Sequence, residues 1–168
     1  VTGNGMLTDE VWVPQFVFDL PELGWCDVHF LAGGRTMMEI SISDVYEPFP
    51  EILEWCRGLT DAVGPLSLEF NCGRYTAVMS YSPMESEPGT GIFRVSDGSG
   101  AGDGFSVKVL LHDLVHNLVS AISDYRSELL KWYPGGRSFS RLCSLDYGDI
   151  LAVLLSYDLQ HCFRKNDV

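Results

Sequence analysis

The chain predicts an α+β fold: a curved, largely antiparallel sheet of about seven strands with two or three helices packed on one face. Three observations carry that expectation. Apolar and polar residues alternate in run after run, the period of two that buries one face of a strand and wets the other. Two longer stretches, DVYEPFPEILEWCRGL and LLHDLVHNLVSAISDY, switch to the three-and-four spacing of an amphipathic helix. A length of 168 residues, 46% apolar and 12% aromatic, suffices for one domain with its own core.

The opening VTGNG, residues 1–5, is small and polar and reads as a cloning remnant ahead of a native start at Met6, so a single domain is expected over 6–168. In VPQFVFDL the residues Phe16, Phe18 and Leu20 alternate. In GWCDVHFLAGGRTMMEISIS, Val28 and Phe30 do so, then Met38, Ile40 and Ile42. Gly33-Gly34 lies between these last two runs, where a tight hairpin needs positive φ. Half-burial sends Glu39, Ser41 and Ser43 to the outward side.

A helix is expected from Pro48 or Pro50, positions where a helix start tolerates proline, to Gly58 or Gly64. Phe49, Ile52, Leu53, Cys56 and Leu59 form its apolar stripe. Its other side carries Glu47, Glu51 and Glu54, near the positive end of the helix dipole, where acids stabilise the first turns. Strands resume in PLSLEFNC, with Leu66, Leu68 and Phe70, and in YTAVMSY, with Tyr75, Ala77, Met79 and Tyr81; Gly73 marks the turn. PMESEPGT is a polar loop, GIFRV a short strand, and SDGSGAGDG a turn into FSVKVLL, with Phe105, Val107 and Val109 on one face. The second helix follows, with Leu111, Leu114, Val115, Leu118, Val119, Ile122 and Leu129 in one arc. YPGGRSFSRLCSLDYG is loop-like and mildly basic through Arg137 and Arg141. The last segment, 149–163, DILAVLLSYDLQHCF, has a length that favours a helix over a buried strand.

The formal charge of −12 is unevenly spread. Through Cys72 twelve Asp or Glu stand against two Arg, a net of −10; from Gly73 onward eleven acids stand against nine bases, a net of −2. Such a field repels nucleic acid and anionic lipid and speeds encounter with a basic partner. No apolar run approaches the roughly 20 residues of a membrane span, so no membrane partner is expected. Five cysteines, Cys26, Cys56, Cys72, Cys143 and Cys162, are odd in number and lack any C-x-x-C pair, which fits small buried side chains in a reducing cytoplasm.

His112 and His116, four residues apart on the second helix, have the spacing with which two imidazoles share a metal ion. The HExxH zinc motif would require Glu where Asp113 stands, and a third ligand would have to come from His29, Asp27, His161 or Cys162. The pair therefore reads as the flank of a core helix, with metal binding as the alternative. Dinucleotide and phosphate-loop glycine motifs are absent, as is a nucleophile elbow. No cofactor is expected.

The ordered parts DLPELGW, the GG hairpin, SDVYEPFPEILEWCRGL, LEFNCGRYTAVMSY and FSVKVLLHDLVHNLVSAISDY resemble a loose group of small acidic bacterial proteins, mostly of unassigned function, some of them regarded as immunity proteins for secreted toxins. The resemblance spans Trp12 to Trp132 and rests on the pattern of strands and helices. It departs at Leu110 or Leu111, where the group often has a polar helix cap. It implies a binding role and carries over no catalytic residue.

Together these readings favour a non-catalytic, cytoplasmic protein that binds a basic protein partner through Glu39, Glu47, Glu51 and Glu54. The alternative is a small-molecule binder or enzyme with a pocket between sheet and helices near His112, His116 and His29.

Overall fold

The computed structural model describes residues 10–20, 25–43, 48–61, 64–98 and 104–132. Among the described residues eight strands and two helices follow in order: β1 (Val11–Trp12), β2 (Pro14–Phe18), β3 (Trp25–Ala32), β4 (Arg35–Ser43), α1 (Pro48–Asp61), β5 (Leu66–Asn71), β6 (Thr76–Pro83), β7 (Thr90–Asp97), β8 (Gly104–Leu110) and α2 (Leu111–Trp132). The α+β class is as expected. The single sheet of about seven strands is not what forms: β1-β8-β7-β6-β5 make a mixed five-stranded sheet and β2-β3-β4 a separate antiparallel one.

Two local features explain the division. The N-terminal strand breaks at Val13, so that Trp12 pairs with Val109 in the larger sheet, parallel to β8, while Pro14 pairs with Ala32 in the smaller. A strand that bends from one sheet into another makes the corner of a two-sheet packing. Further on, α1 intervenes between β4 and β5 and places them in different sheets.

The sheets face each other across aromatic rings. Phe16 and Phe30 of the smaller sheet meet Phe93 and Phe105 of the larger, with ring centroids 6.0–6.4 Å apart. Edge-on and tilted pairs at such distances add roughly 0.5–1.5 kcal/mol each beyond the area they bury. The helices complete the core, Ile52 of α1 and Leu118 of α2 converging on Phe18, Val28, Ile40, Ile42, Phe70 and Met79 around a void of only about 10 Å³. The expected stripe of α1, Phe49, Ile52, Leu53, Cys56 and Leu59, is buried throughout. Trp55 is buried as well, with its indole N–H unbonded.

The hairpin at Gly33-Gly34 has φ of 57° and 72°, the double left-handed geometry of a type I′ turn. A side chain at Gly33 would also collide with the Trp12 ring. Gly73, at φ 78°, turns β5 into β6, and its N–H donates to Asn71 Oδ1 at 2.8 Å. Gly58 does not end α1, which runs on to Asp61; a Cβ at Gly58 would stand 3.3 Å from Leu66 Cδ1, so the glycine lets the helix lie close on β5. In α2 the residues Leu114, Val115, Leu118, Val119 and Ile122 are buried as expected and Leu111 partly so. The basic loop and segment 149–163 lie outside the described residues. Among the described residues no helix is long and apolar enough to cross a membrane.

Candidate partner-binding face

Strand β3 buries Cys26, Val28, Phe30 and Ala32 and turns Asp27 and His29 to the other side. Register then sets their neighbours. Val17, His29 and Glu39 form one row across β2, β3 and β4, and Asp27 pairs with Ser41 in the next. Asp19 continues the ladder one residue beyond β2, its N–H donating to the Asp27 carbonyl at 2.9 Å. That bond brings a third carboxylate to the row.

His29 is held between two of these acids. Its Nε2 lies 3.0 Å from Asp19 Oδ2 and its Nδ1 3.2 Å from Glu39 Oε2. A carboxylate can only accept, so Nε2 donates to Asp19, while the Glu39 carboxylate beside Nδ1 favours the protonated ring by its charge. The His29 pKa is raised accordingly, mainly by the hydrogen bond to Asp19 and further by the charges of Asp19, Glu39 and Asp27, against a partial burial that lowers it. Asp27 in turn accepts a hydrogen bond from the Ser41 hydroxyl. The His29 side chain is 23% exposed, whereas Asp19 and Glu39 are 57% and 55% exposed. The single Lys or Arg of the three strands, Arg35, stands at the hairpin end. With three carboxylates around one imidazole, the centre of the face stays negative even when His29 is protonated.

Of the four expected carboxylates the three described ones do not share one surface. Glu39 belongs to the row above, while Glu51 and Glu54 are exposed on α1. Ile52 of that helix packs with Val28, Ile40 and Ile42, the side of the small sheet opposite Glu39. Glu54 pairs with Arg57 at 3.1 Å, and Glu51 sits in the first helical turn, where it complements the dipole. Glu47 lies outside the described residues.

Among the described residues, the void where Phe18, Val28, Ile40, Ile52 and Leu118 converge is lined by apolar side chains and by no histidine. His112, partly buried, and His116, exposed, stack with ring centroids 5.7 Å apart at 17°. His112 Nδ1 lies 3.4 Å from Asp113 Oδ1, a long contact. Among the described residues no group of three His, Cys, Asp or Glu is arranged to hold a metal ion. His29 stands instead on the outer face of the small sheet; His161 and Cys162 lie outside the described residues. Cys26, Cys56 and Cys72 are buried, reduced thiols, and burial pushes the Cys56 pKa up to about 12, which removes it as a nucleophile near neutral pH.

Asp19 as part of the face, and the pairings of His29 with Glu39 and of Asp27 with Ser41, were beyond the strand alternation alone, which placed Ser41 with Glu39 on the outward side. A signal was present in the apolar pattern. A two-residue turn at 33–34 pairs Ala32 with Arg35, and continued without interruption it would set the apolar Val28 and Phe30 against Glu39 and Met37. The apolar faces match only if one residue bulges. The register does shift there, from Leu31 opposite Thr36 to Phe30 opposite Met38, which leaves Met37 over and sets His29 beside Glu39.

No protein-family model, curated protein or solved structure matches the chain.

Proposed function

We propose that this chain is a non-catalytic binding protein whose partner is a basic protein, recognised through the outer face of β2, β3 and β4. The supporting observation is the row in which Asp19 and Glu39, each more than half exposed, flank His29 beside Asp27. The strands present these acids on a rigid surface, so little ordering entropy is lost when a partner's Lys or Arg arrives. The −10 net charge through Cys72 adds a field that draws cations toward this part of the chain and repels nucleic acid and anionic lipid. A toxin neutralised by an immunity protein is one instance of such a pair, and a cytoplasmic setting accords with reduced, buried thiols at Cys26, Cys56 and Cys72.

The test is capture from a lysate of the source cells, with wild type and Asp19→Lys/Glu39→Lys as parallel baits. A basic protein retained by wild type at low salt, released at high salt and not retained by the folded double variant supports the reading. Equal retention by both baits would refute it.

A further inference from the structure

Helix α2 runs beside β2, and Asn117 ties the two together: its Nδ2 donates to the Pro14 carbonyl at 2.8 Å. One turn further on stands Ala121, whose methyl group leaves the space beside the strand unfilled. A groove of about 290 Å³ opens there, lined by Val17, Phe18, Leu20, Ala121, Asp124 and Tyr125. Val17 and Leu20 are 46% and 45% exposed, two large aliphatic side chains on the same groove. The floor is rigid, since Tyr125 packs on Phe18 at 5.3 Å and on Phe49 at 5.2 Å between ring centroids.

We infer that this groove receives an apolar side chain of the partner, presented on a short segment with lysine or arginine on either side. The inference rests on the basic-partner reading above and names the chemistry of the segment recognised. Apolar walls call for an apolar occupant, because only such a group gains from leaving water without losing hydrogen bonds. Its flanks are specified by charge. Asp124 lines the helix side of the groove. On the strand side Val17 pairs with His29, the residue that Asp19 and Glu39 flank. Among the described residues that line it there is no Lys or Arg. A second copy of this chain would bring another −12 of charge to an acidic rim, so self-association is disfavoured. The volume lies at the lower bound of the roughly 300–1,000 Å³ of small-molecule sites. That matches a side-chain anchor of a protein interface, a well-packed apolar group inside a polar rim.

Three peptides test it against the isotope-labelled protein by amide chemical-shift titration: Lys-Lys-Leu-Trp-Leu-Lys-Lys, the same peptide with a Ser-Gly-Ser centre, and the same apolar centre flanked by glutamates. The first should bind with shifts centred on Val17, Leu20, Ala121 and Tyr125, and the other two about tenfold or more weaker. Ala121→Met, which fills the groove, should weaken the first peptide about tenfold and leave the Ser-Gly-Ser peptide unchanged. Leu20→Ser, at an exposed position, gives a second variant should Ala121→Met disturb the fold. If the Ser-Gly-Ser peptide binds as tightly as the first, charge alone carries recognition, and the groove is refuted while the basic-partner reading stands. If the glutamate-flanked peptide binds as tightly as the first, the basic flanks are refuted and the basic-partner reading falls with them. Shifts centred away from the groove, or no binding by any peptide, overturn the inference.

Discussion

Leu118→Ala probes how α2 is held against the rest of the molecule. Leu118 is 2% exposed and meets side chains from both sheets and from α1 around the interior void. The change removes three carbons, about 2.4 kcal/mol at roughly 0.8 kcal/mol per buried CH₂. A cavity term adds to this at about 24 cal/mol per Å³ of space that the surroundings fail to refill. Refilling is poor here: the neighbours belong to two sheets and a second helix, and the site already tolerates a void of about 10 Å³. The total should fall in the upper half of the ~2.7–5.0 kcal/mol range known for Leu→Ala in cores. Urea denaturation followed by circular dichroism measures it, with Leu110→Ala, at a 41% exposed position just before the helix, as the control. A loss under about 1 kcal/mol, or one equal to that of the control, would refute the packing of α2 described here.

Three further outcomes follow from the face and the helices. His29→Gln should abolish a stability contribution that depends on pH: because the folded-state pKa is raised above 6.5, the contribution is complete below that value and lost as pH rises through the folded one. With Asp19 and Glu39 more than half exposed it should stay within about 1 kcal/mol; denaturation midpoints of both proteins from pH 5 to 8 check it, and a difference that grows with pH would contradict the sign. His112→Gln/His116→Gln should keep the fold, at a cost of about 0.5 kcal/mol per site, with no stoichiometric metal in the wild type by elemental analysis. Glu51→Lys/Glu54→Lys should lower stability by about 0.3–1 kcal/mol per site through the helix dipole and the Arg57 pair, yet leave partner capture unchanged, since these acids lie away from the Glu39 row.

Much of the architecture was legible because each element is locally consistent. The alternation Leu66, Leu68, Phe70 and the left-handed glycines at 33–34 are decided within a few residues, and the strands formed where that pattern runs. The division into two sheets was not, because it depends on the break at Val13 and on which distant strand pairs with either side of it, β8 with Trp12 and β3 with Pro14. Charge was legible as a total and misleading as a place. Glu39, Glu51 and Glu54 are close in sequence, but the sheet and the helix that carry them pack through their apolar sides, with Ile52 against the side of the sheet away from Glu39. Asp19 reaches His29 only through the antiparallel pairing of β2 with β3, a contact ten residues long in sequence.

The central claim is that the outer face of β2, β3 and β4 recognises a basic protein, and the association rate constant with the captured partner, followed against ionic strength, tests it most directly. Charges at an interface rim act mainly on that rate, and their reach shrinks to about 8 Å at physiological salt. Wild type should associate fast at low salt and slow steeply as salt is added, while Asp19→Lys/Glu39→Lys should start slow and respond little. A rate indifferent to salt, or one slowed by Glu51→Lys/Glu54→Lys and untouched by Asp19→Lys/Glu39→Lys, would contradict it and move the recognition surface to α1.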